Sequence, residues 1–253
     1  MVYNARIPTD RVIDKLDFYL SKKDFGEAKR HLNYWLSESR AIGDYNGEIL
    51  ILNEFMGLSR KLGEKENALE FTRLALKKIE ELNIVENIGA ATTYLNSATV
   101  YKAFGMAEQS VSLFEKAKDI YETNLSKTDA RLGGLYNNYA LALVDLGKFS
   151  QAETMYDKAI TVMESVPNSE GELAITYLNK ANATEYRLGI ENGKNIISEY
   201  VERAKTLLES ISDRTDGGYA FILEKCASVF SYYGYEEYAE RITARYRGIY
   251  ERA

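Results

Sequence analysis

Apolar residues recur at helical spacing along almost the whole chain. In GGLYNNYALALVDLGKFSQAETMYDKAITVME, residues 133–164, one apolar set falls at i, i+3, i+4 and i+7 and a second at i, i+4 and i+7. The two sets are Tyr136, Tyr139, Ala140 and Leu143, then Ala152, Tyr156 and Ala159. Each spacing places apolar side chains on one face of an α-helix. Gly147 lies between the sets and suits a helix end that needs a left-handed backbone, so we predict a helix–turn–helix hairpin.

The hairpin pattern repeats along the chain. Gly63, Gly105, Gly147 and Gly189 stand 42 residues apart, and Gly234 follows 45 residues later. A fixed interval of this kind is typical of arrays in which each hairpin buries its apolar face against its neighbours. We therefore predict an all-α protein, a right-handed α-solenoid of about six hairpins that forms one domain over residues 1–253. The predicted units are 9–46, 47–88, 89–130, 131–172, 173–217 and 218–253.

The fifth unit is irregular, and two alignments of it are possible. The tetrapeptide TYLN occurs at 93–96 and again at 176–179, and alignment on it puts Tyr177, Ala181, Thr184 and Leu188 on one stripe. Alignment on Gly189 would instead bury Asn182 and Glu185. Because burying Asn and Glu without partners is costly, we prefer the first alignment. It predicts that GIENGKN, residues 189–195, is a long turn between helices.

Composition narrows the function. Hydrophobic residues make up 45% of the chain and charged residues 28%, with two prolines, as expected for a folded helical protein. The net charge of −6 gives no global attraction for nucleic acid or anionic membranes. No apolar run of membrane-spanning length occurs, and the start of the chain lacks the apolar core of a secretion signal. We therefore expect a cytoplasmic protein with no nucleic-acid or membrane partner.

Few residues could carry chemistry. The single cysteine, Cys226, excludes an intrachain disulfide and a multi-cysteine metal site. The single histidine, His31, excludes a two-histidine metal site within the chain, and no nucleophile accompanies it in a recognisable arrangement. The glycines mark repeats rather than a phosphate-binding loop. We predict a protein that is not an enzyme and that has no cofactor or metal.

The hairpin pattern resembles a tetratricopeptide repeat, which has a large and then a small residue in its first helix and small–aromatic–small residues in its second. The usual period is about 34 residues, so an interval of 42 residues implies helices about one turn longer. Long-period repeats of this kind are similar to those of the kinesin light chain and of bacterial peptide-pheromone receptors, and LYNNYALALVDLGKF looks like a kinesin-light-chain helix. The resemblance implies a protein- or peptide-binding protein. The repeats begin near residue 10, so we expect no DNA-binding domain ahead of them.

Tyrosine and asparagine have different predicted roles in the TYLN-like segments. The tyrosines lie on the core stripe and are predicted to pack between the two helices of a hairpin: Tyr94, Tyr136 and Tyr177. Asn96, Asn138 and Asn179 come two residues later, about 200° around the helix. They would line the concave groove as a ladder of amides, and the resemblance implies contact with bound peptide at this position. The alternatives are a tolerated polar residue or a hydrogen bond to the neighbouring helix.

Further groove candidates share the asparagine face or lie near it. Thr99 and Asn182 lie on that face, and Tyr186 and Tyr232 could supply apolar contact in later units. Lys61 and Lys102 could hold a peptide carboxylate. We predict a scaffold or adaptor that captures a peptide segment of a protein partner. The alternatives are a peptide-sensing regulator that acts on a separate chain and a self-assembling structural module.

The last predicted helix is amphipathic, with Tyr235, Tyr238, Ile242 and Tyr246 at helical spacing. A terminal repeat has to protect a face that no further repeat covers. These side chains could therefore cap the array. They could alternatively form a homodimer contact, because tyrosine is enriched at interfaces.

Overall fold

The computed structural model describes residues 5–252, which form twelve α-helices and no strand. The helices are α1 Thr9–Ser21, α2 Phe25–Ile42, α3 Tyr45–Lys61, α4 Lys65–Glu81, α5 Ile88–Ala103, α6 Ala107–Asn124, α7 Ala130–Asp145, α8 Phe149–Met163, α9 Glu170–Leu188, α10 Ile190–Ser210, α11 Gly217–Tyr232 and α12 Glu236–Arg252. Each odd-numbered helix packs against the even-numbered helix that follows it. The predicted succession of helical hairpins is therefore confirmed within residues 5–252.

The turns inside the hairpins lie where the repeat interval placed them. All five predicted glycines have a positive φ, between 69° and 85°: Gly63, Gly105, Gly147, Gly189 and Gly234. An L side chain is strained in this region, so glycine is the residue that closes such a turn at least cost. In the first hairpin Lys23 takes the equivalent place, with φ 55°.

The chain divides into two compact units, and the boundary lies between Asn124 and Leu125. The first unit contains α1–α6, whose core includes Leu16, Leu32 and the stacked rings of Phe55 and Phe71. It also buries two carboxylates, those of Asp44 and Glu48, and Asp44 accepts hydrogen bonds from the backbone N–H groups of Ile7 and Gly47. Glu48 of α3 is 4% exposed and pairs with Arg40 of α2 at 2.7 Å and Lys78 of α4 at 3.1 Å. That these units continue as one solenoid stays a prediction.

The second unit contains α7–α12. Its core includes the fully buried rings of Tyr156, Tyr219 and Phe230. Its buried charge is a lysine: Lys180 of α9 is 6% exposed and contacts Glu153 and Asp157 of α8, each at 2.7 Å. A buried ammonium is tolerated when carboxylates compensate its charge, so this triad ties the fifth hairpin to the fourth.

The predicted core tyrosines are buried. Tyr94 and Tyr136 are each 5% exposed and Tyr177 is 8% exposed. The alignment of the fifth unit on TYLN is confirmed at Ala181 and Thr184, which are both buried. It is wrong at the end of the stripe, where Leu188 is 36% exposed because α9 ends there.

The predicted turn over residues 189–195 is also wrong. Gly189 alone separates α9 from α10, with φ 76° and ψ 162°, and α10 starts at Ile190. Gly193 is buried in the first turns of α10, where an added Cβ would lie 3.2 Å from Cγ2 of Thr184. The missing side chain lets α10 pack closely on α9, and this contact is available only if residues 190–195 are helical.

The terminal helix α12 packs inward. Tyr238 and Ile242 are buried, and Tyr235 and Tyr246 are half-buried against the same core. This arrangement is the one that a cap requires. No helix among residues 5–252 has the length and hydropathy needed to cross a bilayer.

Candidate functional site

Two parallel stripes of side chains lie on adjacent helices of the second unit. On α9 the stripe is Ile175, Asn179, Asn182 and Tyr186, and on α11 it is Phe221, Lys225, Ser228 and Tyr232. Both follow the spacing i, i+4, i+7, i+11, which keeps side chains on one helix face. Because α9 and α11 pack against each other, the stripes lie side by side. We name this surface the α9–α11 face.

Aromatic rings at both ends of the α9–α11 face are exposed. Tyr186 is 76% exposed, Tyr232 is 61% exposed and Phe221 is 43% exposed. The ammonium of Lys225 lies 4.3 Å from the centre of the Phe221 ring. Single exposed apolar side chains are ordinary, but several on neighbouring helices indicate a binding surface.

A carboxylate joins the two helices at one end of this face. The hydroxyl of Tyr232 donates a hydrogen bond to Oε1 of Glu185, and the hydroxyl of Tyr233 donates to Oε2 of Glu185 at 2.9 Å. Oδ1 of Asn182 lies 2.7 Å from the Tyr233 hydroxyl and shares its single hydrogen with Glu185. No lysine or arginine of residues 5–252 forms an ion pair with Glu185. We name Glu185, Tyr232 and Tyr233 the carboxylate–tyrosine cluster.

The electrostatics of this cluster keep both phenols protonated. The hydrogen bond to Glu185 raises the pKa of Tyr232. Burial raises the pKa of Tyr233, and its hydrogen bond to Glu185 raises it further. Both hydroxyls therefore stay protonated at neutral pH and act as hydrogen-bond donors.

A cavity of about 440 Å³ adjoins the carboxylate–tyrosine cluster. Tyr232, the last residue of α11, and the following residues Tyr233, Gly234 and Tyr235 line the cavity, and Ile197 and Val201 of α10 are its buried apolar residues. The exposed lining residues of α10 are Ile190, Glu191, Lys194 and Ser198. The cavity is mostly apolar with polar groups around it, which suits a single side chain of a partner.

The predicted amides of the second unit are partly engaged by the protein itself. The Nδ2 atom of Asn179 donates to Oδ1 of Asn137 at 3.1 Å, and that of Asn138 donates to the carbonyl of Gly134 at 2.9 Å. Asn138 and Asn179 are both half-buried. Neither Oδ1 atom accepts a hydrogen bond from the described residues. Each amide therefore keeps an acceptor for a ligand.

The first unit repeats this arrangement. Nδ2 of Asn96 on α5 donates to Oδ1 of Asn53 on α3 at 2.8 Å, and Nδ2 of Asn53 donates to Thr93 at 3.0 Å. The position equivalent to Asn96 in the preceding repeat is Glu54, and the position equivalent to Asn179 is Asn138. The acceptors Asn53 and Asn137 each lie one residue before these positions, so alignment by repeat position misses them. The asparagines immediately before those equivalent positions were the signal available in the sequence.

The remaining candidates of the first unit make local contacts. Thr99 donates from Oγ1 to the carbonyl of Leu95 at 2.8 Å. Lys61 is exposed, with its ammonium 5.7 Å from the centre of the Phe25 ring, and Lys102 is half-buried. The structure thus brings Asn182 and Tyr232 together through Tyr233, a residue that sequence analysis did not select. Sequence analysis also did not identify Glu185 as a site residue.

The residues that could have suggested catalysis have structural surroundings. Nε2 of His31 lies 2.9 Å from the carbonyl of Val12, to which it donates, and its ring contacts those of Tyr19 and Trp35. Cys226 is 1% exposed, and burial raises its pKa to about 12. Within residues 5–252, no group of three or more His, Cys, Asp or Glu side chains is arranged to hold a metal ion.

Part of this chain is similar in sequence to a known protein family, and its structure is similar to those of known proteins. Residues 134–162 match the family model for the tetratricopeptide repeat. The chain carries a tetratricopeptide repeat. Its structure is similar to that of BtubC (BKLC) from P. vanneervenii, with a TM-score of 0.69 and 19% identity over 81% of this chain and 82% of that one. No curated protein sequence matches the chain.

A second similar structure has the kinesin-light-chain TPR-like repeats of Podosopora anserina, with a TM-score of 0.50 and 15% identity over 78% of this chain and 92% of that one. These similarities confirm the predicted class, an all-α fold of tetratricopeptide-like hairpins. Tetratricopeptide repeats generally mediate protein–protein interactions, and the fold is typically a non-catalytic scaffold.

Proposed function

We propose that this tetratricopeptide-repeat protein is a binding module, without catalytic activity, that takes an extended segment of a partner protein on the α9–α11 face. The observation that carries the proposal is the pair of parallel stripes with exposed Tyr186, Phe221 and Tyr232. Exposed tyrosines on rigid helices supply contact area at low cost in conformational entropy and are enriched among residues that dominate binding.

The α9–α11 face has the dimensions of a short peptide site. From Ile175 to Tyr186 the stripe covers eleven helical steps, or about 16 Å. An extended chain of about five residues has this length. The Oδ1 atom of Asn179 on this face, and that of Asn138 on the adjacent helix α7, would accept hydrogen bonds from backbone N–H groups, which every peptide offers regardless of sequence. The rings would contact its side chains.

In the first unit, we propose the same role for the exposed faces of α3 and α5. The Oδ1 atom of Asn96 accepts no hydrogen bond from residues 5–252, so it can accept one from a ligand. Thr99 lies on the same helix, and Lys61 and Lys102 would attract a peptide carboxylate. This surface lacks the exposed rings of the second unit, so we expect it to bind more weakly.

The test uses the full chain and a display library of random 16-residue peptides. Peptides enriched on the protein would be synthesised with a fluorophore, and their Kd values would be measured by anisotropy. We expect the Tyr186→Ala/Tyr232→Ala variant to weaken binding at least about tenfold, because each exposed ring contributes about 1 kcal/mol or more. Asn138→Ala/Asn179→Ala should weaken it about fivefold, since two hydrogen bonds are lost.

Tyr45→Ala is the matched control. Tyr45 is 52% exposed and lies at the start of α3 beside Lys78 of α4, away from the Asn53–Asn96 pair of the first unit. Circular dichroism would verify that each variant is folded. Equal affinity of wild type and the Tyr186/Tyr232 variant for every enriched peptide would refute the proposed site, and a library that yields no enriched peptide would refute peptide binding.

Self-association through the first hairpin is a second candidate function. Phe18 of α1 is 49% exposed and Tyr34 of α2 is 56% exposed, and Phe18 lines a cleft of about 630 Å³ together with Trp35. A second copy of the chain could cover these rings. Sedimentation velocity over a hundredfold concentration range tests this: we expect a dimer that Phe18→Ala/Tyr34→Ala dissociates. A monomer at every concentration would exclude it.

A further inference from the structure

The carboxylate–tyrosine cluster has the chemistry to select one kind of partner residue. We propose that Glu185 and the rings of Tyr186 and Tyr232 bind a basic side chain of the partner segment, and that an apolar side chain next to it enters the adjoining cavity. This inference rests on the proposed function, because it names the peptide that the α9–α11 face prefers.

The carboxylate of Glu185 is held in place without a cationic partner among residues 5–252. Glu185 accepts hydrogen bonds from Tyr232 and Tyr233, which fix its carboxylate at the junction of α9 and α11. Two neutral donors orient the carboxylate without cancelling its charge. No cation of residues 5–252 pairs with it, whereas the buried Glu48 pairs with Arg40 and Lys78. A charge held in place and left unpaired complements a cation from outside.

Aromatic rings lie beside the carboxylate of Glu185. Tyr186 follows Glu185 in the chain, and the ring of Tyr232 lies 5.0 Å from the ring of Tyr233 at an angle of 75°. Aromatic ring faces carry a partial negative charge and attract ammonium and guanidinium groups. An arginine is the better match, because its planar guanidinium can stack on a ring while it donates to a carboxylate.

The wider charge pattern has the same sign. Residues 185–194 and 232–237 contain four glutamates, Glu185, Glu191, Glu236 and Glu237, and two cations, Arg187 and Lys194. Glu236 and Glu237 are exposed in the first turn of α12 and follow Gly234, which lines the cavity. The region is therefore acidic, even though Lys194 lines the cavity as well.

The cavity specifies the neighbour of the basic residue. Tyr232 and Tyr233 contact Glu185 through their hydroxyl groups and also line the cavity, so the two subsites share a wall. Ile197 and Val201 supply buried apolar surface. A side chain such as leucine would be desolvated against Ile197 and Val201, so an apolar side chain matches this part of the cavity. The expected motif is therefore an apolar residue adjacent to arginine or lysine.

The experiment repeats the peptide selection with wild type, Glu185→Gln and Glu199→Gln. Glu199 is an exposed residue of α10 that does not line the cavity or belong to the cluster, so its substitution removes the same net charge without changing either. Three probes derived from the best enriched peptide, with Arg, Gln or Glu at the basic position, would then be compared by anisotropy. For wild type and Glu199→Gln we expect the Arg probe to bind about tenfold more tightly than the Gln probe, the size of one charge-assisted contact.

Each outcome has one meaning. In Glu185→Gln the preference for Arg should fall to about twofold, while the Gln probe keeps its wild-type Kd. Enriched peptides without a basic preference, or a preference equal in Glu185→Gln and Glu199→Gln, would overturn this inference and leave the proposed function standing. If no peptide is enriched, or if enriched peptides ignore Tyr186→Ala/Tyr232→Ala, the proposed function fails and this inference fails with it.

Discussion

The buried lysine of the second unit allows a test of how charge stabilises the fold. Lys180 is 6% exposed, whereas its partners Glu153 and Asp157 are 43% and 62% exposed. Removing the lysine charge and removing the two carboxylate charges should therefore have different effects on stability. Without the lysine, the two carboxylates remain hydrated, because they are already partly exposed to water. Without the carboxylates, an ammonium is left inside the protein with no compensating charge.

This asymmetry sets the expected magnitudes. Lys180→Met keeps most of the side-chain volume and removes the buried charge, so we expect a loss of about 1 kcal/mol, similar to half-exposed ion pairs. Glu153→Gln/Asp157→Gln leaves Lys180 unpaired, and breaking a buried pair in this way costs about 3–5 kcal/mol. The double variant should therefore be the less stable of the two by about 2–4 kcal/mol, although it alters only the more exposed residues.

Urea unfolding of the full chain measures the difference. Pulse labelling of Cys226, which is buried in α11 of the same unit, reports unfolding of the second unit. The fluorescence of Trp35, the single tryptophan, reports the first unit separately. If Lys180→Met destabilises the second unit as much as the double variant, the reasoning from unequal exposure is refuted.

The pH dependence of this triad has a defined sign. Burial alone lowers the pKa of Lys180, but its hydrogen bonds to Asp157 and Glu153 outweigh burial and raise that pKa above its usual value of 10.5. A raised pKa in the folded state stabilises the protein at neutral pH, and this contribution is lost as the pH rises through the folded-state pKa. Lys180→Met should therefore lose less stability than wild type between pH 10 and pH 12.

Three further predictions concern single features. Gly133→Ala should destabilise the protein by about 1 kcal/mol, because its Cβ would lie 2.3 Å from Sδ of buried Met163. The Cβ of Gly134→Ala would meet no atom within 4 Å, so this variant should stabilise the protein by about 0.5 kcal/mol. Thermal unfolding measures both changes, and a Gly133→Ala variant more stable than Gly134→Ala would contradict the packing. Hydrogen bonds from Arg131 and Arg214 hold the pKa values of the helix-capping Asp129 and Asp216 at about 2, so part of the stability should be lost as the pH falls from about 4 to 2. Asp129→Asn/Asp216→Asn should flatten that loss in acid titration followed by circular dichroism, and an unchanged titration would show that these carboxylates are not responsible. Native Cys226, with a pKa of about 12, should resist iodoacetamide at pH 8 until urea unfolds the second unit; rapid labelling of native protein would show that α11 opens locally.

Repeat length and core positions followed from the sequence because both depend on local rules. Helical spacing of apolar residues places Tyr94, Tyr136 and Tyr177 inside their hairpins whatever lies next to them. Glycines at 42-residue intervals mark turns because few other residues adopt a positive φ without strain. The prediction for residues 189–195 was wrong because the conformation of this segment involves packing between helices in addition to local rules. The absence of a side chain at Gly193 lets α10 pack closely on Thr184 of α9, and helical spacing within the segment does not report that packing.

The candidate site could be predicted only in part. The face of each asparagine followed from its angular distance to a core tyrosine, but its partner did not. Asn53 and Asn137 accept from the next odd-numbered helix at an offset of one residue, which depends on how the two helices cross. The role of Asn96, Asn138 and Asn179 in binding stays a prediction.

The sequence by itself determined the hairpins, their length and the residues inside them, because these depend on interactions within a few helical turns. Only the tertiary structure decided which polar groups meet across hairpins. Lys180 with Glu153 and Asp157, and Glu185 with Tyr232 and Tyr233, are pairs separated by more than twenty residues, and no periodicity links them. Their physical basis is the packing of one hairpin on the next, which places a charge against particular side chains of the neighbouring hairpin.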